Sequence, residues 1–376
     1  MPAHVLSIGT AVPATVLLQR YVRDLLTGQP GLDRRTSRLL RAAFDASDID
    51  TRYTVLDELG LDRPEVDGVF LGADDAAVLA PGTRVRNDLY REHAPGLFSA
   101  AATDALLSGA VDPADVTHLV TVSCTGFFAP GPDQVLVERL GLDPSVERFH
   151  LGFMGCHAAF PALRAARAFC ATRPDAVVLV ACAELCTLHL QPPTDHDRIL
   201  ASSLFADGAA AAVVTAAPPP SGRASLRLDA LHTELTGSGS EDMTWTIGDT
   251  GFEMVLSGYV PRLLGERIEK VVAPVFDADP ELAGRPFGAV PRWAVHPGGR
   301  SILDKVQEAL VLGEDQLAPS RAVLRRYGNM SSATVLFVLR ELLTGPLPTV
   351  PERVCALAFG PGLTVETALL TLGAAA

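Results

Sequence analysis

Residues 176–185 are almost unbroken valine, leucine and alanine, too few to cross a membrane and patterned as a strand buried on both faces. A sheet covered on both sides needs helices on both sides. The rest of the chain supplies them, because strand-like runs at 5–8 and 118–123 alternate with helix-like ones such as 100–108. The fold class is therefore α/β and layered. Three consecutive prolines, Pro218 to Pro220, cannot sit in a central strand or helix, so 216–221 reads as a linker dividing the chain into 1–220 and 221–376.

The 376 residues are 48% apolar, ample for a core in each half, and their formal charge of −13 argues against a nucleic-acid or anionic-membrane partner. Lys270 and Lys305 are the only lysines, so a phosphate grip would use arginine. Six cysteines in a chain of this length, without paired CxxC spacing, make neither a disulfide scaffold nor a zinc site. The N-terminus lacks the basic and apolar regions of a signal peptide, and no apolar run reaches membrane-span length. A cytoplasmic protein is expected.

The segment Gly152-Phe153-Met154-Gly155-Cys156-His157-Ala158-Ala159 leads from a strand through glycine into an alanine-rich helix, with Leu163, Ala166 and Cys170 on its apolar face. A helix N-terminus favours the Cys156 thiolate by only about 0.3–1 kcal/mol, less than one pKa unit. A working nucleophile needs a cationic partner too, most often histidine. His296 ends a strand-like run before Pro297-Gly298-Gly299, and Asn329 stands at a loop-to-helix junction. Element ends of this kind are where α/β proteins build sites. Singly, each residue has a plain structural reading as buried thiol, core imidazole or helix cap.

The surrounding text carries more. Cys124-Thr125-Gly126-Phe127-Phe128-Ala129-Pro130-Gly131, Met154-Gly155-Cys156, Glu184-Leu185-Cys186, Leu204-Phe205-Ala206-Asp207-Gly208, His296-Pro297-Gly298-Gly299, Tyr327-Gly328-Asn329-Met330-Ser331-Ser332 and Phe359-Gly360-Pro361-Gly362 resemble, in order and spacing, the type III polyketide synthases, the chalcone synthase-like family. The resemblance implies a thiolase-like duplicated αβαβα fold working as a homodimer. It implies an acyltransferase that loads an acyl-CoA starter on Cys156, extends it by decarboxylative condensation with malonyl-CoA and cyclises the chain. His296 and Asn329 would hold the enolate, and Phe205 matches a gatekeeping phenylalanine. CoA thioesters are then substrates, and no metal or organic cofactor is expected.

Departures from the plant pattern concern the cavity. Trp245 stands where plant members have glycine, Met254 where they have a second phenylalanine, and Cys124, Cys186 and His189 where they have threonines. Ala129 replaces a methionine that reaches into the partner subunit. These changes resemble bacterial members. Ser331, Phe359 and Gly360 complete the expected cavity lining. The plant lysines that hold CoA phosphates have no clear counterpart, leaving Arg38 and Arg41, with Gly298 and Gly299, as candidate CoA contacts. The substitutions point to a fatty acyl starter giving an alkylpyrone or alkylresorcinol, the alternative being a small-starter or malonyl-only aromatic synthase. More distant readings are a single-condensation ketoacyl synthase III or hydroxymethylglutaryl-CoA synthase, a Cys/His/Asn hydrolase, and a non-catalytic scaffold of the same fold.

Overall fold

The computed structural model describes residues 2–61, 68–72, 77–237 and 239–374. Its strands are β1 (His4–Ala11), β2 (Thr15–Leu18), β3 (Thr51–Thr54), β4 (His118–Ser123), β5 (Glu147–Gly152), β6 (Val177–Leu185), β7 (Asp207–Thr215), β8 (Ala224–Leu235), β9 (Met243–Gly248), β10 (Gly251–Leu256), β11 (Arg292–Val295), β12 (Glu352–Gly360) and β13 (Thr364–Ala374). The helices are α1 (Gln19–Thr27), α2 (Arg34–Asp45), α3 (Thr83–Gly109), α4 (Pro132–Leu140), α5 (Ala159–Thr172), α6 (His196–Leu204), α7 (Val260–Gly265), α8 (Ile268–Asp277), α9 (Arg300–Ala309), α10 (Glu314–Tyr327) and α11 (Thr334–Thr344).

Nine strands pair in the order β11-β12-β13-β8-β1-β7-β6-β4-β5. The two halves of that order repeat one pattern. Outward from β1 the sheet runs β7, β6, β4, and outward from β8 it runs β13, β12, β11. In each, two antiparallel pairings are followed by a parallel one. The halves meet where His4 and Val5 of β1 face Arg227 and Leu226 of β8. Residues 216–221 lie between β7 and β8, where the chain passes from one half to the other.

Helices α5 and α11 lie between the halves of the sheet, and α11 is apolar around nearly its whole circumference because both its sides are covered. Helix α3 covers the outer face of the first half, and α8, α9 and α10 that of the second, completing αβαβα layers. The helix expected at 100–108 is the end of the much longer α3, whose interior Pro95 interrupts the apolar periodicity that would have marked its start. Strand β6 is buried along nearly its whole length, as its composition requires. No helix among the described residues is long and apolar enough to cross a membrane.

Packing between β1 and α3 is unusually close. A Cβ on Gly9 would lie 2.2 Å from the Ala105 nitrogen and 2.3 Å from the Ala101 carbonyl oxygen, both backbone atoms that cannot swing away. Gly9→Ala is therefore expected to destabilise the protein by about 1–3 kcal/mol or more, read by urea denaturation. An unchanged midpoint would show that β1 and α3 stand further apart than this.

Candidate active site

Between β5 and α5 the chain turns through Gly155 at φ +79°, where a Cβ would meet the Pro361 ring at 2.4 Å. Glycine thus lets the loop after β12 close directly on the residue preceding Cys156. The cysteine lies in the turn ahead of α5, three residues before the first helical residue, rather than on the helix itself. The dipole contribution expected from the sequence is correspondingly weaker, because it fades beyond the terminal turn.

His296 follows β11 and extends its parallel pairing, its N–H donating to the Leu357 carbonyl at 2.8 Å. The ring is buried, and among the described residues neither nitrogen has a hydrogen-bond partner. Asn329 pairs by backbone with Phe205: its N–H donates to the Leu204 carbonyl at 2.9 Å, and the Ala206 N–H donates to its carbonyl at 2.9 Å. The Asn329 side chain is fixed at both ends. Its Oδ1 accepts the Ser331 N–H at 2.9 Å, an Asx turn that holds Ser331 at φ +46°, and its Nδ2 donates to the Gly298 carbonyl at 3.3 Å.

Cys156, His296, Asn329 and Phe205 line one cavity of about 710 Å³. Burial pushes the Cys156 thiol up to about 11, with the buried Glu184 carboxylate adding to the rise, while the side chains of Ser331 and Asn329 act in the opposite direction. Burial also pushes the His296 imidazole down to about 3, helped by the neighbouring His157. The expectation of a thiolate already favoured by its surroundings is therefore reversed for the isolated groups. At neutral pH both are uncharged, and the apolar enclosure is the reason.

Cys124, Cys186, His189, Trp245, Met254, Ser331 and Phe359 line the same cavity, as do Gly298 and Gly299. Gly360 does not. It faces His157, whose Nδ1 would lie 1.9 Å from a Cβ there, so its lack of a side chain seats the imidazole behind Cys156. Arg38 and Arg41 are exposed on α2 and lie outside the lining; the cations that do border the cavity are Arg52, Arg198, Arg262 and Lys305. Their positions carry no short motif that sequence alone could single out.

Glu184 was also not legible as a site residue. It is a fully buried carboxylate at the end of apolar β6, accepting from the Cys124 N–H at 3.0 Å, the Thr125 hydroxyl at 2.9 Å and the Ser332 hydroxyl at 2.5 Å. The Cys124 thiol donates to it at 3.2 Å and contacts the Ser331 hydroxyl at 3.4 Å, so Glu184 connects to the site through Cys124 and Ser331. A lone charge inside such a run was the available signal.

One cavity wall is the β9–β10 hairpin, a separate two-stranded sheet in which Trp245 and Met254 face each other across the strands. Trp245 Nε1 donates to the Cys124 carbonyl at 2.7 Å. His189 donates from Nε2 to the Thr125 carbonyl at 2.8 Å, accepts the Phe252 N–H on Nδ1 at 3.0 Å, and stacks on Phe252 at 4.1 Å. Its polar atoms are therefore committed to the wall.

The chalcone and stilbene synthase N-terminal domain family matches residues 1–218, and the corresponding C-terminal domain family matches residues 230–372. The chain belongs to the chalcone and stilbene synthase family. "Probable polyketide synthase 1" of Dictyostelium discoideum is 29% identical over 98% of the chain, which spans about a tenth (11%) of that protein's length. The crystal structure of the C-terminal type III polyketide synthase domain of Steely1, a type I/III hybrid from Dictyostelium, matches with a TM-score of 0.88 at 28% identity, covering 98% of this chain and 99% of that one. PKS-I from the brown alga Ectocarpus siliculosus matches with a TM-score of 0.88 at 30% identity and 98% coverage of both chains.

Of the six thiols Cys156 alone is not buried, so iodoacetamide should alkylate it first in the folded protein, as peptide mass spectrometry would show. Proton transfer to His296 should place the pH midpoint of that reaction well below 11, and His296→Ala should move it up toward 11. A midpoint indifferent to His296→Ala would separate the imidazole from the thiol's proton.

Proposed function

We propose that the chain loads an acyl-CoA starter on Cys156, extends it with malonyl-CoA and cyclises the product. The observation that carries this is the convergence, in one largely apolar cavity, of the partly buried Cys156, an imidazole without a hydrogen-bond partner among the described residues and an amide held rigidly by Gly298 and Ser331. In the first step the Cys156 proton passes to His296, sulfur attacks the starter carbonyl, and CoA leaves as the thiol, taking the proton back. In the second, the carboxylate carbon–carbon bond of malonyl-CoA breaks and CO2 leaves. The electron pair becomes an enolate that attacks the Cys156 thioester and releases the sulfur.

His296 and Asn329 donate to the enolate oxygen, each such donor contributing about 3–4 kcal/mol. Phe205 supplies an apolar surface beside Asn329 that disfavours a carboxylate and favours CO2. A cysteine hydrolase would need no malonyl-CoA, and a single-condensation enzyme would release a diketide. Asn329→Ala should cut CO2 release from malonyl-CoA by about 10²–10³-fold while acyl-enzyme formation on Cys156 changes little. Normal decarboxylation with impaired loading would reverse the assignment.

A fatty acyl starter is supported by the apolar part of the cavity lining, which includes Leu17, Val22, Leu25, Leu26 and Leu59 as well as the site residues. Trp245 brings a bulky ring to the lining of the same cavity, which favours a small number of extensions. Two or three extensions and an alkylpyrone or alkylresorcinol follow. Each buried methylene contributes about 0.8 kcal/mol, roughly fourfold in affinity, so kcat/KM across an acyl-CoA series should climb with chain length to a plateau. A best starter of malonyl-CoA would replace this reading with the small-starter one.

A homodimer is also proposed. Strand β5 ends the sheet with most of its length exposed, including Phe149, and Phe127 is exposed nearby in sequence to the β4 end. An unpaired edge of this kind is a ready pairing surface. Light scattering at micromolar concentration should give twice the chain mass, and a monomer mass would exclude the dimer.

A further inference from the structure

We propose that Arg52 is a positioning residue for malonyl decarboxylation, setting Phe205 and Asn329 in register with each other; this rests on the roles just given to those two residues. Helix α6 ends at Leu204, leaving the last carbonyls without helical donors. Three consecutive ones are served from elsewhere. Gln19 Nε2 donates to the Ser203 carbonyl at 2.7 Å, the Asn329 N–H to the Leu204 carbonyl at 2.9 Å, and Arg52 Nη1 to the Phe205 carbonyl at 2.6 Å. Arg52 Nε donates to Gln19 Oε1 at 2.9 Å, which joins the first and third grips into one unit.

The arginine stem also sets the other partner. Gly328, immediately before Asn329, has φ +69°, and a Cβ there would lie 2.7 Å from Arg52 Cγ, so the backbone crosses directly over the stem. A single side chain thereby holds the carbonyl of Phe205 and the approach to Asn329. Arg52 is 2% exposed, and among the described residues no carboxylate lies within ion-pair distance of it; its Nη2 is buried without a partner. Burying a guanidinium so incompletely satisfied is unfavourable, and a neutral side chain could fill the same space. What a neutral side chain could not do is place a cation at the C-terminus of α6 while also bonding Gln19 at the start of α1. Asp207, on β7 just beyond Phe205, is the charge that favours the protonated guanidinium from that side.

A merely structural cap would alter every step alike, whereas a register defect between Phe205 and Asn329 falls on decarboxylation. Arg52→Met keeps the stem and removes the donors. It should lower malonyl-CoA decarboxylation by about tenfold or more, as misplacement of a positioned group does, while hexanoyl-enzyme formation from hexanoyl-CoA, followed by intact-protein mass, stays within about twofold. Arg52→Lys, which can serve Phe205 or Gln19 but not both, should recover part of the loss. If the methionine variant does not fold, the lysine variant carries the test, with a fall of about threefold or more in decarboxylation at unchanged loading. Equal losses in both reactions, or none in either, overturn the proposal. Asn329→Ala distinguishes the two levels. If it decarboxylates normally, the roles of Phe205 and Asn329 fail; if it loses decarboxylation and the Arg52 variants do not, only the role of Arg52 fails.

Discussion

The site depends on enclosing a thiol and an imidazole where neither can hold a charge by itself. With Cys156 pushed up to about 11 and His296 down to about 3, a lone thiolate or a lone imidazolium is disfavoured in the same cavity. Moving one proton between them creates two charges that compensate each other, and in a low-dielectric space that compensation is strong. The resting Cys156–His296 pair is therefore neutral. The enclosure also suits a substrate that must lose a carboxylate, since a surface that resists charge destabilises the malonyl anion more than CO2 or a delocalised enolate held by donors.

Such an enclosure works only if the donors cannot drift. Asn329 is bonded at its amide oxygen, amide nitrogen, backbone N–H and backbone carbonyl, so the direction of its remaining N–H is set by the fold. Gly155 and Gly360 achieve the corresponding precision by omission, one letting Pro361 approach the turn before Cys156 and the other seating His157 behind it. Rigid hydrogen-bonded donors and close backbone contacts need no reorganisation at the moment of reaction.

The parts legible in the sequence are those encoded locally. Strand β6 follows from its apolar run, and Cys156, His296 and Asn329 follow from glycine-bounded element ends. What was not legible depends on contacts between distant segments. Arg52 sits on the short β3, far from Phe205 in the chain, and only tertiary pairing turns it into a cap for α6. Glu184 looks anomalous in its strand, but its partners come from residues 124, 125 and 332. The pKa directions were not legible either, because a helix-dipole argument assumes a partly solvated terminus, whereas this turn opens into an apolar cavity.

The cavity wall separates chemistry from product size. Trp245 and His189 bond the carbonyls of Cys124 and Thr125, adjacent residues after β4, so the β9–β10 hairpin is tied to a segment that also borders the cavity. The two rings stand edge to face at 5.4 Å, and each also packs on Phe252, which makes the wall a stiff aromatic block rather than an adaptable surface. Met254, paired with Trp245 across the hairpin, is the pliable member of that wall. Substitutions on the hairpin can therefore change the volume and give of the cavity while the donors on Asn329 and His296, held by β11, β12 and the end of α6, keep their positions.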